Sequence, residues 1–472
     1  MSLTTVQLIM MIATIALIIG AGIWSARKIK SAEGFSLNGR KSSTVMVAGA
    51  IAGSCIGGGA TIGTAQSAFM IGISAWWFTI GIGVGFACMA LFFAKKFRES
   101  GKETITQLLM SRYGRSCGPV ASVIASCGIF FAAVASVLPA IFIISHLLNI
   151  SVYFASVVLF LLITVYIYFG GLKGAGTSGL IKSIILWMML LVICWIAGKR
   201  LFNINNVSNI IPHGFDPFAT GINKAVENVV SMTAGLVCAQ NYAQAIFAAT
   251  DSRTAQKGCI IASVISLPVG LPCVLASMYM KATHPDVLPI MALPEFIIRY
   301  MPESLAGITL GVLIIALISS VAGLTLGIST LLTRDIWSNI FHLRESRQIL
   351  RANRLTVIAI STGLIVFSLF NLESQVLMWN LLALALRAGI FIPLVLALYQ
   401  PKLLPPLWAI PAMLIGTMFA GTANHFINTG IPPLIIGFMA AAIIIAIGAT
   451  WGKNHNYQLL HLIAKTKKMI QR

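Results

Sequence analysis

The feature that most constrains this chain is a series of uncharged apolar blocks, each about 20 residues long, recurring from one end to the other. A helix of roughly 20 apolar residues crosses a hydrocarbon core about 30 Å thick, so each block reads as a membrane span. Spans are predicted at 5–26, 43–70, 73–94, 119–147, 150–170, 177–198, 227–249, 259–280, 304–332, 355–371, 374–398, 405–425 and 430–452, about thirteen in all. Of 472 residues, 58% are hydrophobic and 9% charged, which leaves little chain for a soluble domain. Short linkers join most blocks and no Pro- or Ser-rich hinge divides them, so one integral membrane domain over 1–472 is expected. The basic residues Arg27, Lys28 and Lys30 follow the first block instead of preceding it, so that block reads as a retained helix and not a cleaved signal.

Charge sets the expected orientation. With the N-terminus outside, only Lys199, Arg200, Lys224, Lys281 and Arg299 of the 32 Lys and Arg residues fall on outer loops. The stretches "SARKIK", "AKKFRESGKE" and "RESRQILRANR" and the basic tail 453–472 fall inside. The net charge of +20 is therefore a topology signal in a plasma-membrane protein with a cytoplasmic C-terminus. A nucleic-acid partner is excluded, because the charge is spread over short loops with no basic domain to hold it. The eight cysteines lack paired spacing, so no disulfide frame or zinc site is indicated.

Two cations remain inside the membrane, Lys182 and Arg387, while the acids fall in loops or, for Glu227, at a span end. A proton relay on a buried carboxylate and an acidic metal centre are both disfavoured. Lys182 lies about six residues from the inner end of its span, ~9 Å at 1.5 Å per residue, near enough to snorkel to the interface. Arg387 is near mid-span and is expected to face protein or a wet cavity, where it caps broken-helix carbonyls or grips an anion.

One stretch works against the helix that contains it. "GSCIGGGATIG" places Gly53, Gly57, Gly58, Gly59 and Gly63 in the middle of the second span. Glycine in a helix interior is about 1 kcal/mol less favourable than alanine, so the cluster favours either unwinding or close helix packing. Unwinding frees backbone carbonyls, which are tolerated at that depth only where they bind something or line a cavity.

Several blocks resemble a known family. "EGFSLNGRKSS", "GGGATIGTAQSAFMIGISAWWF" and "KETITQLLMSRYG" are similar, in order and spacing, to the opening of the sodium:solute symporter family, and "YFGGLKGAGTSGLIKSIIL", "AQAIFAATDSRTAQKG" and "ALISSVAGLTLGISTLLTRDIW" resemble later blocks. The resemblance runs over about residues 25–400 and implies an all-α transporter with two inverted five-helix repeats, 43–198 and 227–398, of the LeuT type. An N-terminal helix and inner loop (1–42) and two extra C-terminal helices (405–452) flank that core. The first helix of each repeat is then interrupted near the midplane, where substrate and ion bind.

The resemblance also implies a sodium site: backbone carbonyls of Gly53 and Ile56, the carbonyl of Ala316, and the hydroxyls of Ser319 and Ser320. Five neutral oxygens suit a hard cation, and positions 316, 319 and 320 share one helix face. Family members with a second sodium site carry ligands that this chain lacks at Ser178, Ala322 and Gly323, so one transported sodium is expected. Lys182 stands where the family commonly has glutamine, one turn from Ser178. Its ammonium could replace the ion, making transport sodium-independent or proton-linked. Gly235, Leu236, Gly59 and Ala60 stand where sugar transporters carry gating aromatics and polar contacts, and the family's "QR" pair reads Gln244-Ala245, so a hexose is disfavoured. Cys55, Gly58, Gly59, Thr61, Gln240, Asn241 and Arg387 are the candidate substrate contacts. Broken-helix N-termini together with Arg387 favour a small organic anion or an amino acid. A sensor, a channel and an enzyme are weaker readings: the tail is too short for a signalling module, and no nucleophile–base pair or metal motif occurs.

Overall fold

In the computed structural model, residues 3–26, 32–204, 213–343, 345–372, 375–426 and 432–470 are described. The basic residues Arg27, Lys28 and Lys30 of the first inner loop lie outside them. The described chain is helical, with no strand among these residues beyond a single bridge between Ser42 and Ala249. The all-α expectation therefore holds.

Among the described residues, nine helices are long and apolar enough to span a bilayer, ten when the bent pair Val376–Leu386 and Ala388–Tyr399 is taken as one. The other three expected spans are built differently. The helix Thr44–Cys55 (α2) stops short and resumes, after a wide turn over Gly59–Gly63, as Thr64–Ile71 (α3). Ile222–Val237 ends at Cys238, and the chain restarts as Gln240–Phe247. Val152–Ile167 is simply short. Both spans expected to open a repeat are thus interrupted.

Elements are named in chain order: α1 is Thr5–Ala26, followed by α2 and α3 above, and α4 is Trp77–Cys88. The short helix α5 is Ile105–Tyr113, and α6 is Cys117–Leu148. Helical geometry then runs from Val152 to Phe202 (α7). As one rod, those residues would reach ~75 Å, far beyond a bilayer. The chain bends instead: the hydroxyls of Tyr166 and Ser178 are hydrogen-bonded, although a straight helix would hold their backbones ~18 Å apart. The interrupted pair Ile222–Val237 and Gln240–Phe247 is α8 and α9, and Ser252–Ser266 and Gly270–Thr283 are α10 and α11. Glu303–Leu331 is α12 and Ser346–Leu369 is α13. The bent pair is α14 and α15, and Pro406–Phe426 and Pro433–Ile470 are α16 and α17.

Ordinary caps start several of these helices: Ser43, Thr104, Ser151 and Asp251 each accept a backbone N–H in the first turn. Burial separates core from rim. The apolar stretch of α12 and its extension to Trp337 is 89% buried, against 28% for that of α1. Around α12 pack α2, α6 and α7, with α14 against α6 and α8. The break in the second span sits inside this cluster. Its glycines are required by contact: a Cβ on Gly57 would lie 2.3 Å from Ser320 Cβ, and one on Gly58 would lie 2.3 Å from the carbonyl oxygen of Ala135. Close packing and unwinding, set against each other in the sequence, occur together.

Candidate functional site

The site is built on the gap between α2 and α3. The backbone leaves the helix at Ile56 (φ −77°, ψ 87°), which turns the carbonyls of Gly53 and Ile56 off the helix axis. Lys182 of α7 reaches into the gap and is 0% exposed. Its Nζ donates to Gly53 O at 2.7 Å, to Ile56 O at 2.9 Å and to Ser319 Oγ of α12 at 2.8 Å. An ammonium has three donors, and here all three are satisfied, as a buried cation requires. Lys182 therefore does not snorkel to the interface. It lies on three of the five oxygens assigned to sodium.

The remaining two oxygens are engaged elsewhere. The Ser319 hydroxyl shares its proton between Gly53 O and Ala316 O, both at 3.3 Å, so the Ala316 carbonyl faces its own helix. The Ser320 hydroxyl donates to Ser54 O at 2.7 Å and accepts from Ser136 Oγ of α6 at 3.4 Å. Ser136 Oγ accepts in turn from Gly58 N at 3.1 Å. A chain of three hydrogen bonds thus runs from one side of the gap to the other through two neighbouring helices. Ser178 is also away from the cation point. It bonds Tyr166 and donates to Gly174 O at 2.7 Å within α7.

Next to this point lies the central cavity, where the space open to water centres is ≈ 40 Å³. Cys55 and Gly59 of the break, Tyr242 of α9, and Asn380 and Arg387 of the bent pair line it. Arg387 occupies the bend, where α14 and α15 meet at 44°. It is 4% exposed. Its Nε donates to Ala383 O at 2.8 Å and its Nη1 to Gly235 O at 2.9 Å. Nη2 is in no hydrogen bond among the described residues, and the residue borders the cavity. Arg387 thus caps carbonyls of the bent helix and of interrupted α8, and its remaining edge borders the cavity.

Four candidate contacts are placed elsewhere. Thr61 returns its hydroxyl to Gly57 O at 2.9 Å, the usual self-satisfaction of a threonine in an apolar helix. Gly58 is pressed against α6 and does not border the cavity. Gln240 caps α5, accepting from Ile105 N at 3.0 Å and donating to Glu103 O at 2.9 Å. Asn241 is buried against Gly327 of α12. Ser136 and Asn380 join the site beyond the expected contacts, and their polarity inside apolar helices is the sequence signal for them. Asp335, expected in a loop, lies on the helical path, which continues through a wide turn to Trp337; it is 1% exposed and accepts hydroxyls from Thr104 and Ser122 at the C-terminal end of α12.

Two solved structures share this architecture. One is a Na+-coupled sialic acid symporter in a substrate-bound outward-open state, similar over 95% of this chain and 98% of that one, with a TM-score of 0.79 at 15% identity. The other is MHP1, a nucleobase-cation-symport-1 family transporter in a closed conformation, similar over 90% and 95% of the two chains, with a TM-score of 0.60 at 11% identity. At these identities the likeness establishes the fold, a LeuT-type transporter core. The sequence itself matches the sodium:solute symporter family over residues 35–416, from shortly before α2 into α16, and the chain belongs to that family.

Proposed function

We propose that this chain is a secondary active symporter that imports a small organic solute by alternating access, with sodium and the Lys182 ammonium competing for one set of oxygens. Family membership gives sodium as the transported ion. The observation that carries the competition is the ammonium itself, lodged 2.7–2.9 Å from Gly53 O, Ile56 O and Ser319 Oγ. Those oxygens already stabilise a bare cation, so the point is chemically a cation site. Two cations cannot share it. Sodium binding then requires Lys182 to swing away or give up its proton, and Ala316 O and Ser320 Oγ turn inward to complete five oxygens around the ion. Ion binding draws α2, α7 and α12 into one arrangement and completes the neighbouring solute cavity. The coupling is reciprocal: solute tightens sodium by the factor with which sodium tightens solute.

The same three contacts favour a second reading, in which the ammonium never leaves and transport is sodium-independent or proton-linked. The basic inner loops support a multi-pass plasma-membrane placement with the N-terminus outside and the C-terminus in the cytoplasm. We assign the two repeats to 43–198 and 227–398, and the interruption of the span that opens each supports this division.

Binding of radioactive sodium to the purified chain decides between the readings without knowledge of the solute. Competition predicts weak saturable binding in the wild type and at least tenfold tighter binding in Lys182→Gln. Binding by Lys182→Gln alone supports permanent replacement. Failure of both proteins to bind sodium would remove the ion site from these residues.

A further inference from the structure

Resting on the transporter reading above, we infer that the solute is a short-chain carboxylate without an ammonium group. The first argument is charge. Arg387 borders the cavity with Nη2 unused, Lys182 is lodged directly behind the break, and no Asp or Glu lines the cavity among the described residues. Two fixed cations with no counter-charge make an anion the complementary guest. A guanidinium edge is well matched to a carboxylate.

The second argument is acceptor accounting along the break, and it separates a carboxylate from an amino acid. A zwitterion needs acceptors for its ammonium, and unwound helix carbonyls are the natural ones at this depth. Here each is taken. Gly53 O and Ile56 O hold Lys182, and Ser54 O holds Ser320. Cys55 O accepts from Gly57 N at 2.9 Å, and Gly57 O accepts from Thr61 N at 3.1 Å. Gly58 O accepts from Gly63 N at 2.7 Å, and Gly59 O accepts from Thr64 Oγ1 at 2.9 Å. A solute ammonium would have to share these occupied carbonyls or use neutral side-chain oxygens such as that of Asn380, beside a guanidinium.

The donor side is open by contrast. The segment 59–71 begins at the cavity, where Gly59 and Ala60 form part of the wall, so the positive end of that helix and the free edge of Arg387 converge on one space. Size agrees. At ~10–15 Å³ of centre volume per water, the cavity holds about three waters, close to 90 Å³ of liquid. That is the scale of a carboxylate of a few carbons.

Three near-isosteric probes test this on the full-length chain. Lactate and alanine differ by a hydroxyl against an ammonium, and lactamide removes the charge. With sodium present, lactate should raise the thermal midpoint at concentrations at least tenfold lower than alanine or lactamide. Arg387→Gln should lose that response by tenfold or more, and Arg387→Lys should keep part of it. Alanine equal to lactate, no response to lactate in the wild type, or an undiminished response in Arg387→Gln overturns the inference. Uptake into proteoliposomes, with protein-free vesicles as blank, separates the two levels. Lactate that binds but is not carried leaves the carboxylate site intact and removes the transporter reading. Sodium-driven uptake of alanine in preference to lactate does the reverse.

Discussion

The membrane interior of this protein holds two buried cations near its centre, and they are satisfied in opposite ways. Lys182 of α7 gives all three donors to other helices, two to the broken second span and one to α12. Arg387 gives one donor to its own helix, four residues back at Ala383, and one to Gly235 of α8, and retains a free edge. The lysine therefore adds a charged tie between elements that also pack against one another, and its loss weakens that junction. The arginine is held locally and has capacity left for a guest. A buried charge that is fully spent on its surroundings acts on structure, and one that is partly spent can act on a ligand.

The sharpest way to break this contrast is at the lysine. Lys182→Met leaves Ile56 O without its partner and Gly53 O with only the 3.3 Å contact from Ser319 in a dry site, and each buried acceptor left unsatisfied costs about 1–3 kcal/mol. We expect a large fall in the thermal midpoint, recovered in part by added sodium. A variant as stable as the wild type without sodium would show that the lysine ties nothing.

A smaller effect is expected at the arginine's support. Gly128 of α6 leaves room for the guanidinium stem, and an added Cβ would lie 2.7 Å from Arg387 Cγ and 2.9 Å from Ala383 O. Gly128→Ala should cost about 1–3 kcal/mol by overpacking and shift the free edge away from the cavity. Solute-induced stabilisation should then weaken more than the midpoint of the solute-free protein. Equal weakening of both would make Gly128 a packing residue only.

The smallest effect is at Ser319. Ser319→Ala removes one neutral acceptor from the cation point, worth about 1 kcal/mol, or roughly fivefold in the sodium needed for half-maximal binding. Sodium binding unchanged in this variant would take α12 out of the ion site.

The sequence carried the first break in plain view, because five clustered glycines are hard to reconcile with an unbroken span. The second break was legible only through family resemblance: "LVCAQN" contains neither glycine nor proline, yet the helix ends at Cys238. The presence of Lys182 was evident, but its direction was not, since a flexible four-carbon stem can turn toward the interface or toward the core. Thr61 and Gln240 show the same limit. Their polarity was visible, but their partners, a carbonyl one turn away and the start of α5, are set by tertiary placement. Asp335 was misplaced because hydropathy falls at "TRD", while the helical path continues in a wider turn.

The link from Gly58 N through Ser136 and Ser320 to Ser54 O begins at a group that can only give a proton and ends at one that can only receive. Both hydroxyls are therefore oriented in a single sense along the link, whose middle contact, at 3.4 Å, is the longest of the three. If α6 withdraws, both contacts of Ser136 are lost while Ser320 still holds Ser54 O; if α12 withdraws, Gly58 N still holds Ser136. The two ends of the gap are thus fastened by different helices and can be released one at a time.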